Sequence, residues 1–447
     1  MHVFHFSELF VIQLILIVVS TIWFLRRNDE IPILISVLLF YVASYRYLVV
    51  DLELDEWMNA YATFGLYYIT DESALSALHY IVLGHVCLLI SYMLRQREVI
   101  GVVKTTQEYD LFLKQIAPKV LWFGLLLVPV SIFSSMSAFA LVLGGQTLAF
   151  GLSYLFLFPL ALIGSSTLVI LLWKFNGLAS WQSKGMAILI LISTFYITFQ
   201  PTSRFKFVGL LIAAASIWFC SYSSKTRLLA LSIISVSVIS LFTIAGTMRY
   251  SSELEQTAVW ERFYTAEDAQ MLDGFVMVRD VYPELLDFRY GMEHLEILAR
   301  PIPRALWPDK PVGGYVNKLG LYNVEKHGTL GFSPTLFGSF YAEGGAIAII
   351  FFSLLYGVIL AALMQYSNRL SYQGILIRAT VISSMIPLLR GGDLPGIYGW
   401  IGMAFWPVFL VLWLDRKRLK AASYSYSEQF FPNLKAGYQV LMHIKFR

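Results

Sequence analysis

Residues 9–25 read LFVIQLILIVVSTIWFL and are followed by Arg26-Arg27. The stretch carries no charged side chain, and Gln13, Ser20 and Thr21 are its only strongly polar groups. A run of this kind suits a helix in lipid, where about 20 mostly apolar residues cross a hydrocarbon core of roughly 30 Å. No Lys or Arg precedes it and a basic pair follows it. That order predicts an uncleaved first span with its N-terminus outside, rather than a cleaved leader.

The same reading finds ten more runs, at 31–50, 75–94, 120–143, 151–173, 185–201, 206–223, 228–246, 342–364, 374–390 and 397–414. The predicted fold is therefore an all-α polytopic membrane protein of about 11 transmembrane helices. Composition agrees. Of the 447 residues 57% are hydrophobic and only 14% charged, against roughly 45–50% and about 25% in soluble chains. A soluble globular enzyme and a disordered chain are both excluded. The net charge of +4, from 33 basic and 29 acidic residues, is too balanced for a nucleic-acid binder. Cys87 and Cys220 lie in apolar stretches without CxxC spacing, so neither a disulfide framework nor a thiolate metal site is expected.

Lys and Arg in the short loops set the orientation. Arg95, Arg97, Lys104, Lys114 and Lys119 mark one inner loop; Lys174 with Lys184, Lys225 with Arg227, and Arg369 mark others. Arg416, Lys417, Arg418 and Lys420 open the tail. One alternation satisfies all of them, with the N-terminus out and the C-terminus in. The chain then divides into helices 1–8 (1–246), a large outer loop with short helices (247–341), helices 9–11 (342–414) and an inner tail (415–447). The loop breaks any two-fold symmetry between halves, which counts against a transporter of inverted repeats.

Cations gather on the predicted outer side: Arg46, Arg204, Arg249, Arg300, Arg304 and Arg390. Arginine's planar fork grips phosphate oxygens in pairs, so an anionic ligand would explain them. Pairing with outer acids or snorkelling to headgroups would explain them as well. Residues 290–299 read as a short helix with Met292, Leu295 and Leu298 on one face, stopped by Pro301 and Pro303. The proline-stiffened stretch behind it presents Arg300, Arg304, Trp307 and Lys310 at little entropic cost. Trp307 suits either a sugar face or an interfacial anchor. Ser333 as N-cap and Pro334 at N1 start a helix. Run on to Met364, it would span about 46 Å at 1.5 Å per residue. Either its first two turns lie outside the membrane or it breaks at Gly344-Gly345. In both cases Gly338, Tyr341 and Glu343 fall at the outer interface.

Ile302-Pro303-Arg304-Ala305-Leu306-Trp307-Pro308-Asp309-Lys310-Pro311, Ser333-Pro334-Thr335 and Gly338-Ser339-Phe340-Tyr341-Ala342-Glu343-Gly344-Gly345, set in this topology, resemble the Wzy-type oligosaccharide repeat-unit polymerases (O-antigen and exopolysaccharide polymerases) of the bacterial inner membrane. The resemblance is specific at 300–311 and 331–345 and rests on topology elsewhere. It implies transfer of a glycan from undecaprenyl pyrophosphate to another lipid-linked repeat unit on the periplasmic side. It implies as partners that lipid-linked oligosaccharide, the bilayer, a chain-length regulator and a flippase. The paired Arg-x10-Gly motifs of some members do not carry over, because Arg204, Arg249, Arg300 and Arg304 have no glycine eleven positions later.

On this reading Arg204, Arg249, Arg300, Arg304, Trp307, Lys310, Tyr341 and Arg390 bind substrate, with arginines stabilising the departing pyrophosphate. The acceptor hydroxyl needs a base, for which Glu343, His327 and Asp393 are candidates in that order. No metal or cofactor is expected. Three alternatives stand beside it. An O-antigen-ligase-like enzyme would share the donor. A polyprenyl-phosphate sugar transferase would use Asp51, Glu53, Asp55 and Glu56 as a cation site. A glycan flippase or transporter would line a central cavity with its cations.

Overall fold

The computed structural model describes residues 6–58, 68–100, 107–143, 158–199, 204–247, 270–299, 302, 306–307, 333–368, 372–392 and 394–430. Among them the regular elements are helices, and the only β-type pairing is a bridge between Thr335 and Gly391. In chain order they are α1 (Phe6–Arg27), α2 (Ile31–Asp51), α3 (Asp71–Arg95), α4 (Gln107–Leu143), α5 (Phe158–Lys174), α6 (Trp181–Thr198), α7 (Arg204–Trp218), α8 (Ser224–Thr247), α9 (Met271–Val281), α10 (Met292–Leu295, continued as a 3₁₀ turn to Leu298), α11 (Thr335–Asn368), α12 (Tyr372–Arg390) and α13 (Leu394–Phe430).

Among the described residues, seven helices are long and apolar enough to cross a membrane: α1, α2, α3, Leu113–Met136 of α4, α11, α12 and Leu394–Leu414 of α13. Pro159–Lys174 and Phe207–Trp218 are shorter apolar helices. The expected runs at 185–201 and 228–246 coincide with α6 and α8. The helix expected to begin at Ser333-Pro334 begins at Thr335, α4 begins at Gln107, ahead of the run expected at 120, and the last helix continues past 414 to Phe430.

Among the described residues two large cores hold the bundle, beside a small cluster that joins Ala342 to Met277, Val278, Val281 and Tyr282. One large core is built mainly by α1, α2, α3, α9, α11 and α12, with Ile212 of α7 and Leu394 of α13, the other by α4, α5, α6, α7, α12 and α13. Helix α12 serves both. It has 78% of its apolar window buried, against 22% for α1, so α12 is central and α1 faces outward. Helices α3 and α11 run in close contact because Gly357 presents no side chain to Ser91 and Leu88. Several hydroxyls of the helices return to their own helix, as Thr21 to Ile17 (2.8 Å) and Thr167 to Ile163 (2.8 Å), or cross between helices, as Ser20–Ser36 (2.9 Å) and Ser36–His85 (3.0 Å). Lipid offers no partners, so such groups must be satisfied inside the protein.

The two ends of the bundle differ. At one end, here called the basic end, the connection 28–30 is buried. Glu30 binds Arg227 (2.5 Å) and both Nε (3.0 Å) and Nη2 of Arg378. Asn28 accepts from Arg227 (2.7 Å) through its side chain and from Arg378 (2.7 Å) through its carbonyl. Burial alone would raise the Glu30 carboxyl, but the two guanidinium groups outweigh it and hold it at about 2. Asp29, which accepts from Tyr92 (2.8 Å) and Trp23 (3.2 Å), is pushed up by burial and by the charge of Glu30. At the opposite, loop end, α2 widens into a π-turn over Phe40–Ser44, and Arg46 just beyond it points inward with no exposed surface. Its guanidinium forks onto Asp273 of α9 (3.0 and 2.8 Å) and reaches Asp55 (2.5 Å) and the Glu56 carbonyl (2.6 Å). This clasp ties the first loop-end connection to α9.

Candidate functional site

Helix α11 begins at the loop end. The cap expected of Ser333 falls instead to Thr335, whose hydroxyl accepts from Gly338 N–H (3.4 Å) and whose φ is +65°. Thr335 bridges Gly391, where φ is +71° and an added Cβ would collide with the Thr335 carbonyl, so that position needs glycine. Ser339 Oγ donates to the Gly392 carbonyl (3.0 Å) and accepts from Gly392 N–H (3.2 Å). Two stretches that the sequence offered separately, 333–345 and 389–392, are therefore locked together.

Nine residues on, α11 breaks. Gly344 and Gly345 leave helical geometry, Gly345 with φ +65° and ψ −148°. The segment before α10 closes the gap with its own backbone. Arg289 N–H donates to the Ala342 carbonyl (2.9 Å) and Tyr290 N–H to the Glu343 carbonyl (2.9 Å). The Glu343 carboxylate accepts from Gly291 N–H and from Glu293 N–H (2.9 Å). It thus satisfies donors that the first turn of α10 leaves open, with its charge at the favourable helix end.

His294 lies beside this carboxylate. Its Nδ1 is 3.6 Å from Glu343 Oε1. Its ring stacks on Phe352 (4.2 Å between centroids, 11° between planes), with Phe340, Tyr356 and Tyr398 around it. The hydroxyls of Tyr356 and Tyr398 are hydrogen-bonded to each other, and Arg289 pairs with Glu296. The nearby Tyr282 hydroxyl is pushed up to about 12 by burial and by Glu293 and Glu343, against the pull of Arg289, so it is no base at neutral pH.

Of the expected site residues, Glu343 is at this centre, buried and engaged rather than open. Tyr341 packs among Tyr80 (5.3 Å), Phe275 (5.8 Å) and Phe288 (6.1 Å). Arg390 ends α12, half-buried, next to the Thr335–Gly391 bridge. Trp307 is partly exposed. Arg204 opens α7, but its side chain lies outside the described residues, as do Arg249, Arg300, Arg304, Lys310, His327 and Asp393. Arg46, named among the outer-side cations but not among the expected substrate-binding residues, has its fork occupied by carboxylates. Asp55 of the acidic loop is one of those partners, and among the described residues no group of His, Cys, Asp and Glu is disposed to hold a metal.

The sequence reading missed Arg289, Glu293, His294 and Glu296. It took 290–299 for a short helix and named only its apolar face. A crevice of about 430 Å³ between α5, α6, α7 and α8 is lined by apolar groups such as Trp173, Leu211 and Trp218, with Ser237 its one polar residue. It offers no acid or base. No protein-family model, no curated protein and no solved structure matches this chain.

Proposed function

We propose that this chain is a polysaccharide polymerase, a glycosyltransferase of about eleven spans. It would transfer a glycan from a polyprenyl-pyrophosphate carrier to a second lipid-linked repeat unit at the loop end, on the periplasmic face of a bacterial inner membrane. The sequence resemblance at 300–311 and 331–345 motivates the reading. The observation that carries it is the Glu343–His294 pair at the break of α11, at the same end as the 389–392 turn.

The acceptor hydroxyl would add to the anomeric carbon while the bond to pyrophosphate oxygen breaks. The proton needs a receiver, and the negative charge stays on the pyrophosphate. Glu343 has its two oxygens committed to the backbone N–H groups of Gly291 and Glu293, with His294 Nδ1 3.6 Å away, which suits a group that orients rather than one that reacts. His294 then becomes the proton acceptor in place of Glu343 itself, its ring held by Phe352 and its Nδ1 turned to the carboxylate. Arg300, Arg304 and Arg390, with Arg204 and Arg249, are proposed for the pyrophosphate.

His294→Phe tests the assignment, since it keeps the aromatic stack and removes both nitrogens. The folded variant is expected to bind lipid-linked donor while elongation falls by about 100-fold or more. Elongation of a lipid-linked repeat unit at the wild-type rate would remove His294 from the chemistry.

A further inference from the structure

The segment around α10 is inside out for an element in water. Its acids point inward: Glu293 has no exposed surface and Glu296 is 6% exposed. Its apolar side chains point away from the protein, with Leu295 at 58% and Leu298 at 74%. Met292 is exposed too, and beyond the helix so are Ile302, Leu306 and Trp307. Isolated exposed apolar residues are ordinary, but several on one short segment opposite its buried acids are not.

The depth of the segment supplies a second, independent observation. His294 stacks on Phe352, seven residues past Gly345 on α11, and Ile297 approaches Gly399, five residues past the start of α13 at Leu394. Both partners lie within helices apolar enough to span a membrane. At 1.5 Å rise per residue, Phe352 is about 10 Å along α11 from the break. The lipid-facing side of α11 there is itself apolar, with Ile347 and Phe351 exposed.

We propose that the segment carrying α10 is a re-entrant ledge embedded in the lipid leaflet at the loop end. Met292, Leu295, Leu298, Ile302, Leu306 and Trp307 face acyl chains, and Glu293 and Glu296 are turned into the protein. The occupant of this face is lipid. Its backbone is tolerated at that depth because the carbonyls of Ala342 and Glu343 and the Glu343 carboxylate satisfy the N–H groups of residues 289, 290, 291 and 293, while Met292 N–H donates to the Arg289 carbonyl. The helix has the character of an interfacial element, which buries its apolar side about 5–10 Å into the headgroup–acyl boundary. This proposal stands apart from the polymerase reading, since it requires neither donor nor acceptor.

The test uses the full chain in lipid nanodiscs, with Cys87→Ala and Cys220→Ala as background. Nitroxides are placed through Leu298→Cys and Leu306→Cys, and through Glu284→Cys as an exposed control. Collision with molecular oxygen, which concentrates in lipid, is compared with collision with a water-soluble nickel chelate. The ledge predicts that oxygen dominates several-fold at 298 and 306 and that the ratio reverses at 284. Nickel contact at 298 and 306 equal to that at 284 would overturn it. So would shielding from both reagents, which would mean coverage by another part of the chain, or spin–spin broadening, which would mean a second copy on this face.

Discussion

At the scale of single residues, Glu30 carries the heaviest electrostatic load. It sits almost fully buried between Arg227 and Arg378. Glu30→Gln would remove the carboxylate that both buried guanidinium groups share, and breaking a buried pair in this way costs about 3–5 kcal/mol. Thermal unfolding in mild detergent should show that loss, while Glu53→Gln at an exposed position should lie within about 0.5 kcal/mol of the parent. Acid should act on the same group. Its carboxyl is held at about 2 in the folded protein, well below the roughly 4.3 of a free glutamate. The stabilisation is therefore complete above the unfolded value and is lost as pH falls from about 4 toward 2. A Glu30→Gln chain should lack this part of the acid transition. None of this was legible in the sequence. Arg227 served there only as an inner-loop charge, because its partner stands 197 positions away and Arg378 stands 348 from the same glutamate.

At the scale of one element, the interrupted α11 decides the candidate site. Gly345 occupies the left-handed region at φ +65°. Gly345→Ala should cost about 1–3 kcal/mol from backbone strain, and part of that should appear as displacement of Glu343 from the N–H groups of Gly291 and Glu293. Amide hydrogen exchange reports both: residues 289–293 should lose protection in the variant, while α3 and α12 keep theirs. Unchanged exchange at 289–293 would separate the break from the capping of α10. The Gly344-Gly345 pair announced this break in the sequence as one of two solutions to an overlong helix. What fills it was hidden, because the donors are backbone N–H groups that any residue supplies. The reading of Glu343 as a rigidly held base did not foresee them for the same reason.

At the scale of the whole molecule, the apolar runs were the legible part, since hydrocarbon thickness leaves little freedom in the length and composition of a span. Packing was not legible from runs alone. Nothing in the periodicity of α12 says that it serves both cores, because it is buried on most sides, polar residues included. The orientation read from Lys and Arg is an expectation that fusions can check. A reporter active only outside the cell should work when joined after residue 320 and fail after residue 180 and at the C-terminus. Activity at 180, or silence at 320, would reverse the alternation.

The place of α12 in the chain has a consequence for biogenesis. The ribosome makes Glu30 348 residues before Arg378, and α12 is the least apolar of the seven spanning candidates. Until α12 emerges, the acid at the basic end has one guanidinium rather than two, and both cores lack their shared wall. Arg378 in turn is an awkward passenger for a helix entering lipid by itself, yet it meets a waiting carboxylate and the Asn28 carbonyl. The early helices would thus act as a template that recruits a reluctant late one, making membrane insertion and tertiary assembly a single event at that point of synthesis.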